Sequence, residues 1–182
     1  MSVRYMAGNM ADDDETPVDS IARAAAAQRP LSDDEFLARL EALPALADED
    51  DPSWNEDEYW ERVAYPYLAF ADVAAERKLR RAVRPLLERA CYGDPGEIMR
   101  GLRHPLEAIF NPDWAGLANE YLAVARSERL GARMWAIAGL AVVDDPRAGP
   151  IFEASIREDP PDISSYAKIG LKRLARGGAA AI

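Results

Sequence analysis

Four arginines, Arg77, Arg80, Arg81 and Arg84, stand at i, i+3, i+4 and i+7, which predicts one face of one helix over residues 76–91. Guanidinium groups in such a strip can bind carboxylates or phosphates. The same pattern suits two other uses. It can be an ordinary solvated outer face, or it can hold down the acidic N-terminal region of its own chain, a pairing that salt would weaken. Just upstream lies an aromatic-dense stretch: Trp54, Tyr59, Trp60, Tyr65, Tyr67 and Phe70. Most of these are expected in the core. Trp54, close to Pro52 and ahead of the helix, is the one expected to stay exposed, where it would be a hot spot for a partner. Trp114 follows Asp113 at a helix start and is expected to pack.

Groups for catalysis or metal binding are few. The chain has one His and one Cys, so a zinc site built from Cys and His alone lacks ligands and an internal disulfide lacks a partner. His104 precedes Pro105, at an expected helix break, with no nucleophile motif nearby. Cys91 reads as a buried, inert thiol. The acidic runs lack the order of a calcium loop, and no glycine-rich phosphate loop is present. No cofactor, no metal and no catalytic residue is expected.

With 22 Lys+Arg against 32 Asp+Glu the formal charge is −10, which argues against a nucleic-acid partner. No apolar run reaches membrane-span length and no signal-peptide core opens the chain, so no membrane partner is expected and the location is read as cytoplasmic. The charge is lopsided. Residues 1–60 hold 16 acidic and 4 basic residues, or −12, and the remaining 16 and 18 give +2. The acid falls in clusters, Asp12–Glu15, Asp33–Glu35, Asp48–Asp51 and Glu56–Glu58. Residues 1 to about 17 are expected to be disordered, whereas Ser32-Asp33-Asp34-Glu35 reads as a capping box opening a helix.

The elements that must position these residues are helices. Apolar residues recur at three and four through 35–47, 56–73, 76–91, 96–110, 114–126, 129–143, 147–157 and 163–175, and no segment alternates as a strand would. Asp51-Pro52, Asp94-Pro95, Asn111-Pro112, Asp145-Pro146 and Asp159-Pro160 fall between these segments. Asp or Asn as N-cap followed by Pro is a helix start signal. Pro66, Pro85, Pro105 and Pro150 predict kinks or breaks.

The chain also matches itself. A shift of 31 residues sets Ala132, Trp135, Ala136, Gly139, Leu140 and Val143 on Ile163, Tyr166, Ala167, Gly170, Leu171 and Leu174. A shift of 34 sets Asn111-Pro112 on Asp145-Pro146, and Leu117-Ala118 on Ile151-Phe152. The implied unit is a pair of helices with small residues in the first. Arg133, Ala136, Gly139-Leu140, Asp145-Pro146-Arg147-Ala148 and Pro150 follow the order of the short bacterial HEAT repeat, the form found in bilin lyases. The stretch 129–175 resembles that family; 55–128 does so weakly and 1–54 does not.

The resemblance implies an all-α, right-handed HEAT-like α-solenoid of about three to four antiparallel helix pairs. The expected division is an acidic, largely disordered arm over 1–30, a capping helix and acidic linker over 31–53, the repeat domain over 54–176, and a frayed tail over 177–182 after a C-cap at Gly177-Gly178. The expected function is a non-enzymatic protein-binding scaffold or adaptor. Its partner surface would be a groove lined by second helices of the pairs, with Arg77, Arg80, Arg81, Arg84, Trp54 and Arg147 as contact residues. Two alternatives stand beside it: a small acidic immunity or inhibitor protein that captures a basic toxin or nuclease, and a bilin-lyase-like binder of a small molecule.

Overall fold

The computed structural model describes residues 16–48, 50–93 and 97–179. All regular structure among them is helical, and the helices pack together. No helix among them is long and apolar enough to cross a membrane.

The first helix, α1 (Pro17–Gln28), lies inside the segment expected as a disordered arm. Its start is local chemistry: the Thr16 side chain accepts from the Asp19 amide and Asp19 bonds back to Thr16. Its alanine-rich body packs on a later helix, which is why it folds despite carrying few large apolar residues. The disorder expected over residues 1–15 concerns residues outside those described. The Ser32 capping box forms as expected and opens α2 (Asp33–Ala42), which buries Phe36 and Leu40 completely.

Asp51 caps a single turn at Pro52–Asn55 through the Ser53 amide. Helix α3 (Asp57–Tyr59) then runs through one wide turn at Trp60–Ala64 into α4 (Tyr65–Glu76) without a break. Pro66 is absorbed at the start of α4. The single arginine-bearing helix expected over 76–91 does not form. Lys78 takes the left-handed conformation (φ 53°), a tight turn follows at Arg80–Ala82, and α5 is only Val83–Glu88. The turn holds because Arg77 and Arg89 tie the ends of this segment to residues far upstream, and because Leu79, Ala82, Val83, Leu86 and Leu87 are all buried.

Helix α6 (Glu97–Phe110) passes through His104-Pro105, where a break was expected. Proline costs a helix one hydrogen bond; the burial of Leu102, Leu106 and Ile109 around it offsets that. Asp94-Pro95 lies outside the described residues. Asn111 does not cap the next helix. Asp113 does, accepting from the Gly116 amide at 2.9 Å, so α7 is Trp114–Val124. Helix α8 (Leu130–Val143) ends at Asp144 in the left-handed conformation. Asp145-Pro146 caps as expected, through the Arg147 amide, and a short turn leads into α9 (Gly149–Glu158). The last helix, α10, is Pro161–Ala179, so it runs through Gly177, where a C-cap was expected.

The main packing joins helices one to three apart in sequence: α1 on α4, α2 on α5, α4 on α6, α6 on α7, α5 and α7 on α8, and α10 on both α8 and α9. One apolar core runs from α1 to α10. Among the later helices the closest packing is of α9 with α10, α8 with α10 and α7 with α8. The 31-residue match has a counterpart in this packing. The Tyr121 ring of α7 lies against Gly139 of α8, and 31 residues on the Phe152 ring of α9 lies against Gly170 of α10. A side chain at either glycine would collide with the ring, so each glycine sets how closely its pair approaches.

Candidate interaction groove

The six residues expected to contact a partner are not gathered at one place. Arg77 sits at the end of α4 with its side chain only 20% exposed. It donates to the carbonyls of Gln28, Arg29 and Leu31 at 2.8–3.1 Å, pairs with Asp33 at 3.1 Å, and lies over the Phe36 ring. Arg81 pairs with Asp34 at 3.0 Å. These two therefore hold the start of α2, part of the acidic N-terminal region. Arg80 turns the other way, to Asp113 at 2.7 Å and the Phe110 ring, and Arg84 reaches Glu120 at 3.2 Å. The arginine strip is thus spread over three elements, and each of its members has an acidic partner within the chain. The Asp113 carboxyl, held by the Gly116 amide and by Arg80, is pulled below the usual carboxylate range.

Trp54 is half-buried, not exposed. Its Nε1 donates to the Asp48 carbonyl at 2.6 Å, and its ring meets Tyr59 and Trp60 edge-on at 5.0 and 5.2 Å. Tyr59 accepts from the Ala47 amide at 2.9 Å, and burial pushes its phenol up to about 12. The aromatic cluster therefore pins the acidic linker, a use for Trp54 that needs the linker's fold to be seen. Trp114, expected to pack, is the tryptophan left 45% exposed. Arg147 is exposed and bidentate on Asp145 (2.9 and 2.6 Å), with a further bond to Asn119 at 2.8 Å that ties the start of α9 to α7. His104 is exposed on α6. Cys91 is buried, and its carbonyl accepts from Trp135 Nε1 at 3.2 Å. Among the described residues no cluster of His, Cys, Asp and Glu is arranged to hold a metal ion.

A more apolar concavity lies elsewhere, where α6, α7, α8 and α10 converge. Its cavity is about 200 Å³. The floor is Leu117, Tyr121 and Trp135; the walls are Ala138, Gly139 and Val142 of α8, and Tyr166 and Ile169 of α10. Small residues at 138 and 139 open it, and Val142 and Ile169, at 36% and 52%, are among the most exposed large apolar residues in the chain. Its rim carries Arg103, paired with Glu107 at 2.8 Å, and Arg173, paired with Asp144 at 3.1 Å. Burial pushes the Tyr121 phenol up, and the Glu107 carboxylate adds to it. No side chain here is arranged as nucleophile and base. The chemistry on offer is apolar contact plus a polar edge, which is the composition of a binding site.

Sequence reading missed the groove because 138, 139, 142 and 169 follow helical core spacing. The one signal available was Gly139 recurring as Gly170. Comparison of the chain with protein-family models, with curated proteins and with solved structures gives no match.

Proposed function

We propose that the chain is a non-enzymatic protein-binding module, a HEAT-like helical array that takes a segment of another protein into the groove between α8 and α10. The observation that carries this reading is the pair Val142 and Ile169, exposed on either side of an apolar, aromatic-floored cleft. An apolar, aromatic-floored concavity with a few polar groups at its edge is the usual composition of a binding site. The solenoid architecture is supported by helices that pack mainly on near neighbours in sequence and by the repeated aromatic-on-glycine contact 31 residues apart. The arginines at 77, 80, 81 and 84 are assigned to holding the chain's own elements together.

The test is capture from a lysate by the full chain and by Val142→Asp/Ile169→Asp, with folding checked by far-UV circular dichroism. A protein retained in stoichiometric amount by the native chain and lost by the variant is the expected result. Equal retention by both, or retention by neither, overturns the groove as the binding site.

A further inference from the structure

The basic groups of this chain are mostly matched by its own acid. Exposed arginines on α1, α3–α4 and α6 each find a carboxylate, as in Arg23–Glu61, Arg29–Glu76, Arg62–Glu58 and Arg103–Glu107. In a chain of net charge −10 that is the expected outcome. Exposed Arg39, Arg126, Arg129 and Arg157 have no ion pair among the described residues, and α10 is set apart by carrying three such cations in one row. Lys168, Lys172 and Arg176 follow at i, i+4 and i+8, all exposed, with Arg173 alongside. Asp162, the acid in the first turn of α10, lies at the far end and accepts from Tyr92 at 3.2 Å. Among the described residues no ion pair or hydrogen bond reaches the side chains of Lys168, Lys172 or Arg176, and like charges at i, i+4 on a helix repel. The helix dipole favours a cation in the last turn, which accounts for Arg176 but not for Lys168, well before the helix end.

Two of these cations, Lys172 and Arg176, border the groove, while Lys168, one residue before Ile169 and two after Tyr166, falls on another face of α10. Ile169 and Tyr166 face the cleft, Lys172 follows Ile169 by three residues, and Arg176 follows the rim residue Arg173 by three. Three- and four-residue spacing places neighbours side by side on a helix surface. An apolar cleft therefore lies beside two cations, Lys172 and Arg176, with no ion pair of their own among the described residues.

We infer that the partner segment taken by this groove is acidic: an apolar anchor, Leu, Phe or Trp in kind, seated between Val142 and Ile169, with Asp or Glu beside it set against Lys172 and Arg176. The inference rests on the groove reading above and adds the partner's chemistry. It reverses the basic partner that the chain's overall acidity suggests, because the net negative charge lies in residues 1–60 while the groove is built from α6 to α10. Two other occupants fit less well. A symmetric second copy brings α10 against α10, like charge on like. An anionic membrane surface would meet a chain of net −10, and it favours an apolar helix face that can lie in the interface rather than a recessed cleft.

The probe is a displayed library of random dodecapeptides, selected on the immobilised full chain at low salt. Enriched peptides are expected to carry Asp or Glu three or four positions from a large apolar residue. One such peptide, synthesised with a fluorophore, is read by anisotropy against the native chain. Binding should weaken by about tenfold or more between low and high salt, as exposed charge pairs are screened. It should weaken by a similar factor in Lys172→Glu/Arg176→Glu, and stay unchanged in Arg39→Glu, an exposed cation on α2. Enriched peptides without acid, or a peptide whose affinity the double variant leaves intact, overturn the acidic partner and leave the groove reading standing. No enrichment over the blank support overturns both. A concentration-dependent dimer, or binding to anionic vesicles, that the double variant abolishes also overturns the peptide assignment.

Discussion

Replacing Arg77 by alanine removes one side chain that holds three carbonyls, one carboxylate and one aromatic ring. The carbonyls of Gln28, Arg29 and Leu31 belong to the end of α1 and the turn after it, at 2.8–3.1 Å from the guanidinium. Asp33 opens α2, and the Phe36 ring lies 5.0 Å below. A net hydrogen bond to a charged group contributes about 1.5–3 kcal/mol, and a cation over an aromatic face about 0.5–1 where exposed. The carbonyls lie at a turn that water can reach once the arginine is gone, so these do not add in full. A loss of about 3 kcal/mol is expected for Arg77→Ala. In a domain of this size each kcal/mol moves Tm by roughly 2–4 °C, so the fall is roughly 6–12 °C. Arg77→Lys keeps the charge without the planar fork and should fall between. Arg81→Ala breaks a pair whose side chains are 62% and 88% exposed, and pairs of that kind contribute at most about 1 kcal/mol. Thermal melts of the four proteins, with hydrogen exchange over residues 16–48, give the answer. Exchange should rise first in α1 and α2. A loss under about 1 kcal/mol for Arg77→Ala, or exchange rising evenly along the chain, would refute Arg77 as the clasp of the N-terminal helices.

Three further outcomes follow from the packing and the ionised groups. Gly170→Ala places a methyl inside van der Waals distance of the Phe152 ring and should cost about 1–3 kcal/mol by overpacking; Gly149→Ala, where nothing lies within 4 Å, should gain up to about 1 kcal/mol, and urea melts of both variants decide. Asp72 has its pKa raised, first by burial and then by Glu76, so ionising it opposes folding. Asp72→Asn should therefore raise Tm at neutral pH, and the gain should vanish as pH falls through the carboxylate range. In contrast, Asp19, Glu35, Asp51, Asp113 and Asp145 are all pulled down, by bonds to Thr16, Ser32, Ser53, Gly116 and Arg147 first in each case. The stability they contribute is present above the ordinary carboxylate range and is lost below it, so Tm of the native chain should be level at neutral pH and fall steeply below about pH 4.

Cap residues and helical periods were legible in the sequence because the forces involved act within four residues. Ser32 with Glu35, Asp51 with Ser53, and Asp145 with Arg147 close bonds inside one turn, and the apolar spacing of 129–143 or 163–175 states which face must be buried. The recurrence of Gly139 as Gly170 was equally visible. Its meaning was not: an aromatic ring from the preceding helix rests on each, which sets α7 with α8 and α9 with α10.

Longer-range pairings needed the tertiary structure. Arg77, Arg80, Arg81 and Arg84 share a helical spacing, but their partners are Asp33, Asp113, Asp34 and Glu120, more than thirty residues away in either direction. Whether a cation is spent or available depends on which carboxylate the fold brings near. For the same reason Trp54, tied to the Asp48 carbonyl, is covered while Trp114 is exposed. Likewise Pro105 stays within α6 because Leu102 and Leu106 are buried around it. Sequence alone determined the helices and most of their starts. Only the packing of those helices decided that the arginine strip closes the chain on itself and that Lys172 and Arg176 lie beside an open apolar groove, because burial and ion pairing depend on residues distant in sequence becoming neighbours in space.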